Sequence, residues 1–287
     1  MTNVSFEFFP PRSPEAEQRL WDALDRLAPL GPAFVTVTCG AGGSATEVTL
    51  EALRRISART SVPVGGHLTC VGRTREETDA EVLRYLDAGV RHIVALRGDS
   101  PVPGEAFRHH PGGYASAVEL VAGIRRIAPL EISVAAYPEP HPDSVSRAKD
   151  LEVLARKADA GATRAITQFC FDLDAIIALR DLVDRAGIAL NVVPGIMLAT
   201  DYSALSRMAK LCGATLPGWL GARFGGLEDD LQTRKLVAAI VAAEQVQRLR
   251  SEGFDDFHFY TLNQGELAAA VCRLLEAQPA LPQAVAA

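Results

Sequence analysis

The chain has 287 residues, 48% of them hydrophobic, which is enough for one sizeable core and close to the roughly 250 residues typical of a single α/β barrel. Its formal charge of -6 comes without the clustered Lys and Arg that neutralise phosphates, so neither nucleic acid nor a membrane surface is an expected partner. The five cysteines, Cys39, Cys70, Cys170, Cys212 and Cys272, are odd in number, widely spaced and free of any C-x-x-C. They exclude a disulfide framework and a zinc knuckle and read as reduced thiols.

Short β-rich runs alternate along the chain with segments of helical period, the pattern of βα units and a parallel sheet. Val4 to Phe9 opens it as a strand, and Ser13-Pro14 is placed to cap and begin a helix over Glu15 to Leu27. The strand Phe34 to Cys39 leads through Gly40-Ala41-Gly42-Gly43-Ser44, whose amides could meet a phosphate, into a helix over Glu47 to Ala58. Val64 to Thr69 and the helix Arg75 to Ala88 follow, then the strands His92 to Leu96 and Ile132 to Tyr137. Next come the helix Ser146 to Ala160, the strand Ala165 to Phe171, the helix Leu173 to Ala186 and the strand Ala189 to Pro194. Gly89, Gly161 and Gly187 each follow a helical segment where a left-handed cap is wanted. A long crossover then holds Tyr202 to Leu211, a break at Leu216-Pro217-Gly218-Trp219, and Glu228 to Ser251, before the strand Phe257 to Leu262. About eight strands imply a (β/α)8 TIM barrel, a single domain over 1–276 with extra helices after strand seven. The Ala-, Pro- and Gln-rich stretch 277–287 is expected to be a disordered tail. The start carries no charged leader with an apolar stretch behind it, and no apolar run nears the ~20 residues that span a bilayer; a cytoplasmic location is expected.

Chemistry in such barrels sits at the C-terminal strand ends, and the polar residues there are dense. They are Glu7, Thr38, His67 and Thr69, Arg97 and Asp99, Tyr137 and His141, Gln168, and finally Tyr260 and Asn263. In Phe6-Glu7-Phe8 the strand alternation turns Glu7 away from its aromatic neighbours and into the barrel. Desolvation there should raise its pKa, as a general acid near neutral pH requires; the other reading is a structural carboxylate paired with Arg97 or a Lys. His67 has no companion at metal-site spacing and reads as a hydrogen-bonding group, so no metal is expected. His109-His110 fits a solvated turn, and His92 and His258 sit towards the end of the barrel normally devoted to stability. Leu96-Arg97-Gly98-Asp99 presents a cation and a carboxylate together, for function or as a surface ion pair.

Six ordered blocks carry a resemblance: Phe6-Glu7-Phe8-Phe9-Pro10-Pro11, His67-Leu68-Thr69-Cys70, His92 to Asp99, Ser133 to Pro138, Arg164 to Phe169 and Asp256 to Asn263. Together they resemble the methylenetetrahydrofolate reductase family, from near the N-terminus to about Leu275. The resemblance implies a catalytic barrel holding FAD, a co-substrate NADH or NADPH, and ping-pong transfer to 5,10-methylenetetrahydrofolate. It implies catalytic roles for Glu7 as general acid, Asp99 beside flavin and pterin, and Gln168 on both substrates. Flavin contacts are implied at Thr38, Cys39, Ala41 and His67, at Arg97, Gly98 and Asp99, and at Tyr114, Ala115 and Ala135. They are implied also at His141, Asp150, Arg156 and Lys157, where the cations suit a pyrophosphate. On the substrate side stand Met208, Tyr260 and Gln264. Cys39, Met208 and Gln264 depart from the family's Tyr, aromatic and Arg. Stacking and charge each contribute on the order of 1 kcal/mol, so folate or nicotinamide affinity should be altered. The resemblance further implies a homo-oligomer in one-carbon metabolism. A flavin-free pterin-dependent methyltransferase, or a folate-binding protein, on the same barrel is the alternative.

Overall fold

A computed structural model describes residues 2–39, 46–100, 107–141 and 144–276. The strands are β1 (Asn3–Phe8), β2 (Phe34–Val37), β3 (Val64–Thr69), β4 (His92–Leu96), β5 (Glu131–Ala136), β6 (Arg164–Thr167), β7 (Asn191–Val193), β8 (Gly195–Met197) and β9 (Asp256–Tyr260). All pair in parallel, in the order β7-β6-β5-β4-β3-β2-β1-β9-β8, so the first strand meets the last and the sheet curls into a barrel.

About eight strands were expected and nine are found among the described residues because the seventh stave is broken. Pro194 has no N–H to give a ladder, so β7 stops before it and pairs with β6, while β8 starts after it and pairs with β9. Side chains and single bonds close the seam: Gly195 N donates to Thr167 Oγ1 (2.9 Å), Tyr260 Oη donates to Thr167 O (2.6 Å), and His258 N donates to Pro194 O (2.9 Å). A Cβ on Gly195 would collide with the Thr167 carbonyl and lie 2.5 Å from Tyr260 Cε2, so only glycine lets the two staves approach this closely.

The outer ring holds α1 (Pro14–Leu27), α2 (Thr46–Arg59), α3 (Arg75–Asp87), α4 (Ala117–Ile127), α5 (Arg147–Asp159), α6 (Leu173–Arg185) and α10 (Gly265–Glu276). The crossover after β8 is three helices, α7 (Tyr202–Cys212), α8 (Gly218–Phe224) and α9 (Leu231–Ser251); the break expected at Leu216-Pro217-Gly218-Trp219 is instead 213–217, because Pro217 caps α8, whose first residues are Gly218 and Trp219. The helices α4 and α10 fall outside the segments that periodicity singled out. Starts are fixed by side-chain caps: Ser13 accepts from Ala16 N, Thr74 and Glu77 form a capping box, and Asp172, Asp201 and Asp230 cap the helices after them. The main core lies between strands and helices, where Phe6, Phe8, Phe257 and Phe259 are fully buried. A second small cluster of Phe34, Val94, Ile166 and Val193 fills the barrel itself, beneath the mouth. The expected tail 277–287 and the glycine-rich turn 40–44 lie outside the described residues. No described helix is long and apolar enough to cross a membrane.

Candidate active site

A cavity of about 830 Å³ opens over the C-terminal strand ends. Parallel strands carry their side chains to this mouth at alternate residues, so each stave delivers one or two groups. From β1 comes Glu7, from the end of β2 Thr38 and Cys39, from β3 His67, and from beyond β4 Asp99. Gln168 follows β6 and Tyr260 ends β9, while Met208 and Cys212 reach in from α7. Gln168 Oε1 accepts from Phe169 N (3.0 Å), which fixes the side chain and leaves its NH₂ as the donor for a ligand. Asp99 is the exposed exception, its side chain 90% accessible and 4.0 Å from Arg97.

Glu7 lies at the floor of the cavity between two imidazoles. His67 Nε2 is 3.2 Å from Glu7 Oε2 and His258 Nε2 is 3.6 Å away, whereas Arg97, the partner considered from sequence, is not the group that meets it. Neither imidazole nitrogen is aligned for a hydrogen bond, and each contact carries charge only when its ring is protonated. Behind them Ser5 Oγ lies 2.8 Å from His258 Nδ1, which fixes that ring. The carboxyl was expected above its ordinary value; it is held below it, at about 2 against 4.5. Burial is the largest single influence and pushes it up, but attraction to His67 and His258 together outweighs burial. His258 itself is pushed down by burial, with Glu7 opposing. Because Glu7 titrates lower in the folded chain than unfolded, it stabilises the fold above about pH 4.5, and this is lost as pH falls towards 2. Urea unfolding of the native protein and Glu7→Gln should therefore diverge at neutral pH by up to roughly 3 kcal/mol and converge in acid. A gap that stays constant from pH 7 to pH 2 would contradict the charge assignment.

A second cavity, about 470 Å³, adjoins the first and shares Leu96, Asp99, Ala135 and Tyr137 with it, so the two form a continuous trough. Arg97, Gly98, Ala115, His141, Asp150 and Lys157 line it. Lys157 is buried and donates to Ala135 O (2.9 Å); burial, first, and Arg97 push it down to about 8, with Asp150 opposing. Asp150 Oδ1 accepts from Ser144 Oγ (2.6 Å) while its buried Oδ2 has no hydrogen-bond partner among the described residues, an acceptor suited to a ligand hydroxyl. Gly98 sits at φ +82, where a Cβ would strike Val71. Two cations, an orphaned acceptor and a glycine turn fit the pyrophosphate and ribose of a dinucleotide such as FAD. Among the described residues no group of three or more His, Cys, Asp or Glu side chains could hold a metal.

Not every residue singled out from sequence comes to the trough. Tyr114 is buried beneath α4 with its hydroxyl donating to Asp79 (2.7 Å), and Arg156 lies exposed on α5. Gln264 accepts from Thr200 Oγ1 (3.4 Å), outside the lining of either cavity, and Ala41 lies outside the described residues. Sequence reasoning missed His258 and Ser5. The signal was available in strand alternation: His258 shares a face with Tyr260, and β9 pairs with β1.

A family model described as Methylenetetrahydrofolate reductase matches residues 1–276. The chain is 45% identical over 279 residues to the 5,10-methylenetetrahydrofolate reductase of Escherichia coli (strain K12), covering 97% of this chain and 92% of that one. It is 34% identical over 281 residues to Methylenetetrahydrofolate reductase (NADH) 1 of Arabidopsis thaliana, covering 94% of this chain and 48% of the plant protein. Among solved structures, a Clostridium thermocellum protein that binds two copies of 5-methyl-5,6,7,8-tetrahydrofolic acid superposes with TM-score 0.59 at 14% identity, over 94% of this chain and 92% of that one. At that identity the likeness speaks for the barrel alone.

Proposed function

The chain belongs to the methylenetetrahydrofolate reductase family, and we infer that it reduces 5,10-methylenetetrahydrofolate to 5-methyltetrahydrofolate, with NADH or NADPH as donor and FAD between the two substrates. The observation that carries this reading is Glu7, a carboxylate only 12% exposed between two imidazoles at the floor of a cavity continuous with a cation-bearing trough. Arg97 and Lys157 would hold the pyrophosphate of FAD and Asp150 a hydroxyl, and the bound flavin would supply hydride transfer from nicotinamide to folate in two half-reactions.

The protein's own task is the proton. Opening the five-membered ring of the folate to a reactive iminium requires protonation of a ring nitrogen, and Glu7 lies where a ligand on the cavity floor would meet it. Glu7 is held ionised before a substrate binds, so the proton it delivers is taken up from solvent as the folate arrives. A folate covering the floor expels water and strengthens the influence that already pushes Glu7 up, which draws the proton onto the carboxyl when substrate is present to receive it. Asp99, at the shared rim, opposes the positive charge of the iminium; Gln168 donates from its NH₂ and orients whichever substrate is bound. Tyr260 is pinned to Thr167 and shapes the wall. The same reading assigns the chain to the cytoplasm, where its five thiols stay free, and to a homo-oligomer, supported by the exposed Trp219, Leu236 and Ile240 on α8 and α9.

The test is the visible spectrum of the purified protein. A flavin spectrum that bleaches anaerobically with NADH or NADPH and recovers on adding methylenetetrahydrofolate is the expected result, and it names the preferred donor. A colourless protein that FAD does not reconstitute, yet which binds 5-methyltetrahydrofolate, would replace the reductase by a methyltransferase or a folate-binding protein.

A further inference from the structure

Among the described residues only Leu262 and Asn263 adopt positive φ without being glycine, at 50° and 57°. Two such residues in a row are uncommon, and a leucine there is more so. They persist where surrounding bonds over-determine the backbone: Gln264 N donates to Thr261 O (2.8 Å), closing a turn around the pair, and side-chain bonds tie that turn to β1. Asn263 Oδ1 accepts from Phe9 N (2.9 Å) and Asn263 Nδ2 donates to Phe9 O (3.1 Å). Thr261 Oγ1 donates to Glu7 O (2.6 Å) and accepts from Asn263 N (3.1 Å). The last backbone pair between β1 and β9 is Glu7 with Tyr260. Beyond it the carboxamide of Asn263 imitates a further residue of β9, occupying both polar groups of Phe9 and extending β1 past its ladder.

This extension places Phe9 on the same face as Glu7, two residues or about 7 Å nearer the mouth. Phe6 and Phe8 are wholly buried among the helices, but Phe9 is 42% exposed and lines the large cavity. The other aromatics of that lining are engaged or buried: Tyr260 is hydrogen-bonded to Thr167, Phe169 is buried, and Tyr137 packs edge-on against His141. A large apolar ring left open to water, with its backbone held at both polar atoms, is a stacking surface kept in place before any ligand arrives.

We propose that Phe9, clamped by Asn263, is the aromatic platform on which the planar rings of the folate rest above Glu7, with Asn263 acting as its positioning residue. This rests on the reading of Glu7 as the folate's proton donor. The ligand that needs Glu7 is the one that must lie against this wall, whereas nicotinamide receives no proton and has no call on it. Phe9 is thus a determinant of folate affinity and not of nicotinamide turnover.

The test compares the flavin-loaded native protein with Phe9→Leu, Phe9→Tyr, Asn263→Ala and the double variant Phe9→Leu/Asn263→Ala. Two quantities are read: the dissociation constant of 5-methyltetrahydrofolate by calorimetry, and the rate of flavin reduction by nicotinamide nucleotide in stopped flow. Phe9→Leu should weaken folate binding roughly 3- to 10-fold with flavin reduction unchanged, and Phe9→Tyr should restore it. Asn263→Ala should weaken folate binding in the same way, and the double variant should bind no more weakly than the weaker of the two single variants, because both substitutions remove one platform. Folate affinity unchanged in Phe9→Leu, or flavin reduction slowed as much as folate binding, overturns the proposal while leaving the reductase reading intact. A native protein that binds no folate overturns that reading, and this proposal with it.

Discussion

Glu7→Gln is expected to leave the protein folded, loaded with flavin and reducible by nicotinamide nucleotide, while slowing folate reduction by at least ~10²-fold, the usual contribution of a placed acid. The amide keeps the volume of the carboxyl, so the aromatic packing of Phe6 and Phe8 outside the barrel is undisturbed. It cannot carry a transferable proton, and it takes the negative charge away from His67 at 3.2 Å and His258 at 3.6 Å. A folate on the cavity floor then meets no acid at that position. Single-turnover mixing separates the two halves: flavin bleaching with the donor should match the native protein, and its recovery with methylenetetrahydrofolate should not. Recovery at the native rate would remove Glu7 from the mechanism and leave it a structural carboxylate.

The largest expected effect on stability is at Gly195. Gly195→Ala should cost about 3 kcal/mol or more and lower the melting temperature by roughly 5–10 °C, measured by calorimetry. An added Cβ would meet the Thr167 carbonyl, which is backbone, and the Tyr260 ring, which is tied to that same carbonyl. Neither can yield without opening the seam between β6 and β8. Displacing Tyr260 also disturbs the cavity wall, so weaker folate binding should accompany the lower melting point. An alanine variant as stable as the native chain would mean that the broken stave is far more compliant than its bonds suggest.

Much of the fold could be read in the sequence because its signals are local. Alternation turned Phe6 and Phe8 outward and Glu7 inward, and Ser13-Pro14 capped the first helix, each without reference to distant residues. The split at Pro194 was readable in principle, since a residue without an N–H cannot sit mid-ladder, but the run Ala189 to Pro194 ends on it and Gly195-Ile196-Met197 beyond looks like a loop. Which polar residues gather at the mouth also followed from strand ends. The electrostatics did not. Desolvation of Glu7 was expected from its strand, whereas the two imidazoles that reverse its effect come from β3 and β9 and meet it only after the barrel closes. His258 looked like a stabilising residue because its position along the strand was legible and its neighbour across the strands was not.

The closure of the barrel by β1 against β9 has a consequence for how the protein is made. Ser5 and His258, which touch, are 253 residues apart in the chain. A ribosome delivers the carboxylate of the site, Glu7, 251 residues ahead of its second imidazole, His258. Until β9 emerges, β1 is therefore an unpaired edge on one side, with an apolar face and a lone acid, and the cavity floor does not exist. It is in that interval, rather than in the finished molecule, that the chain most needs protection from aggregation.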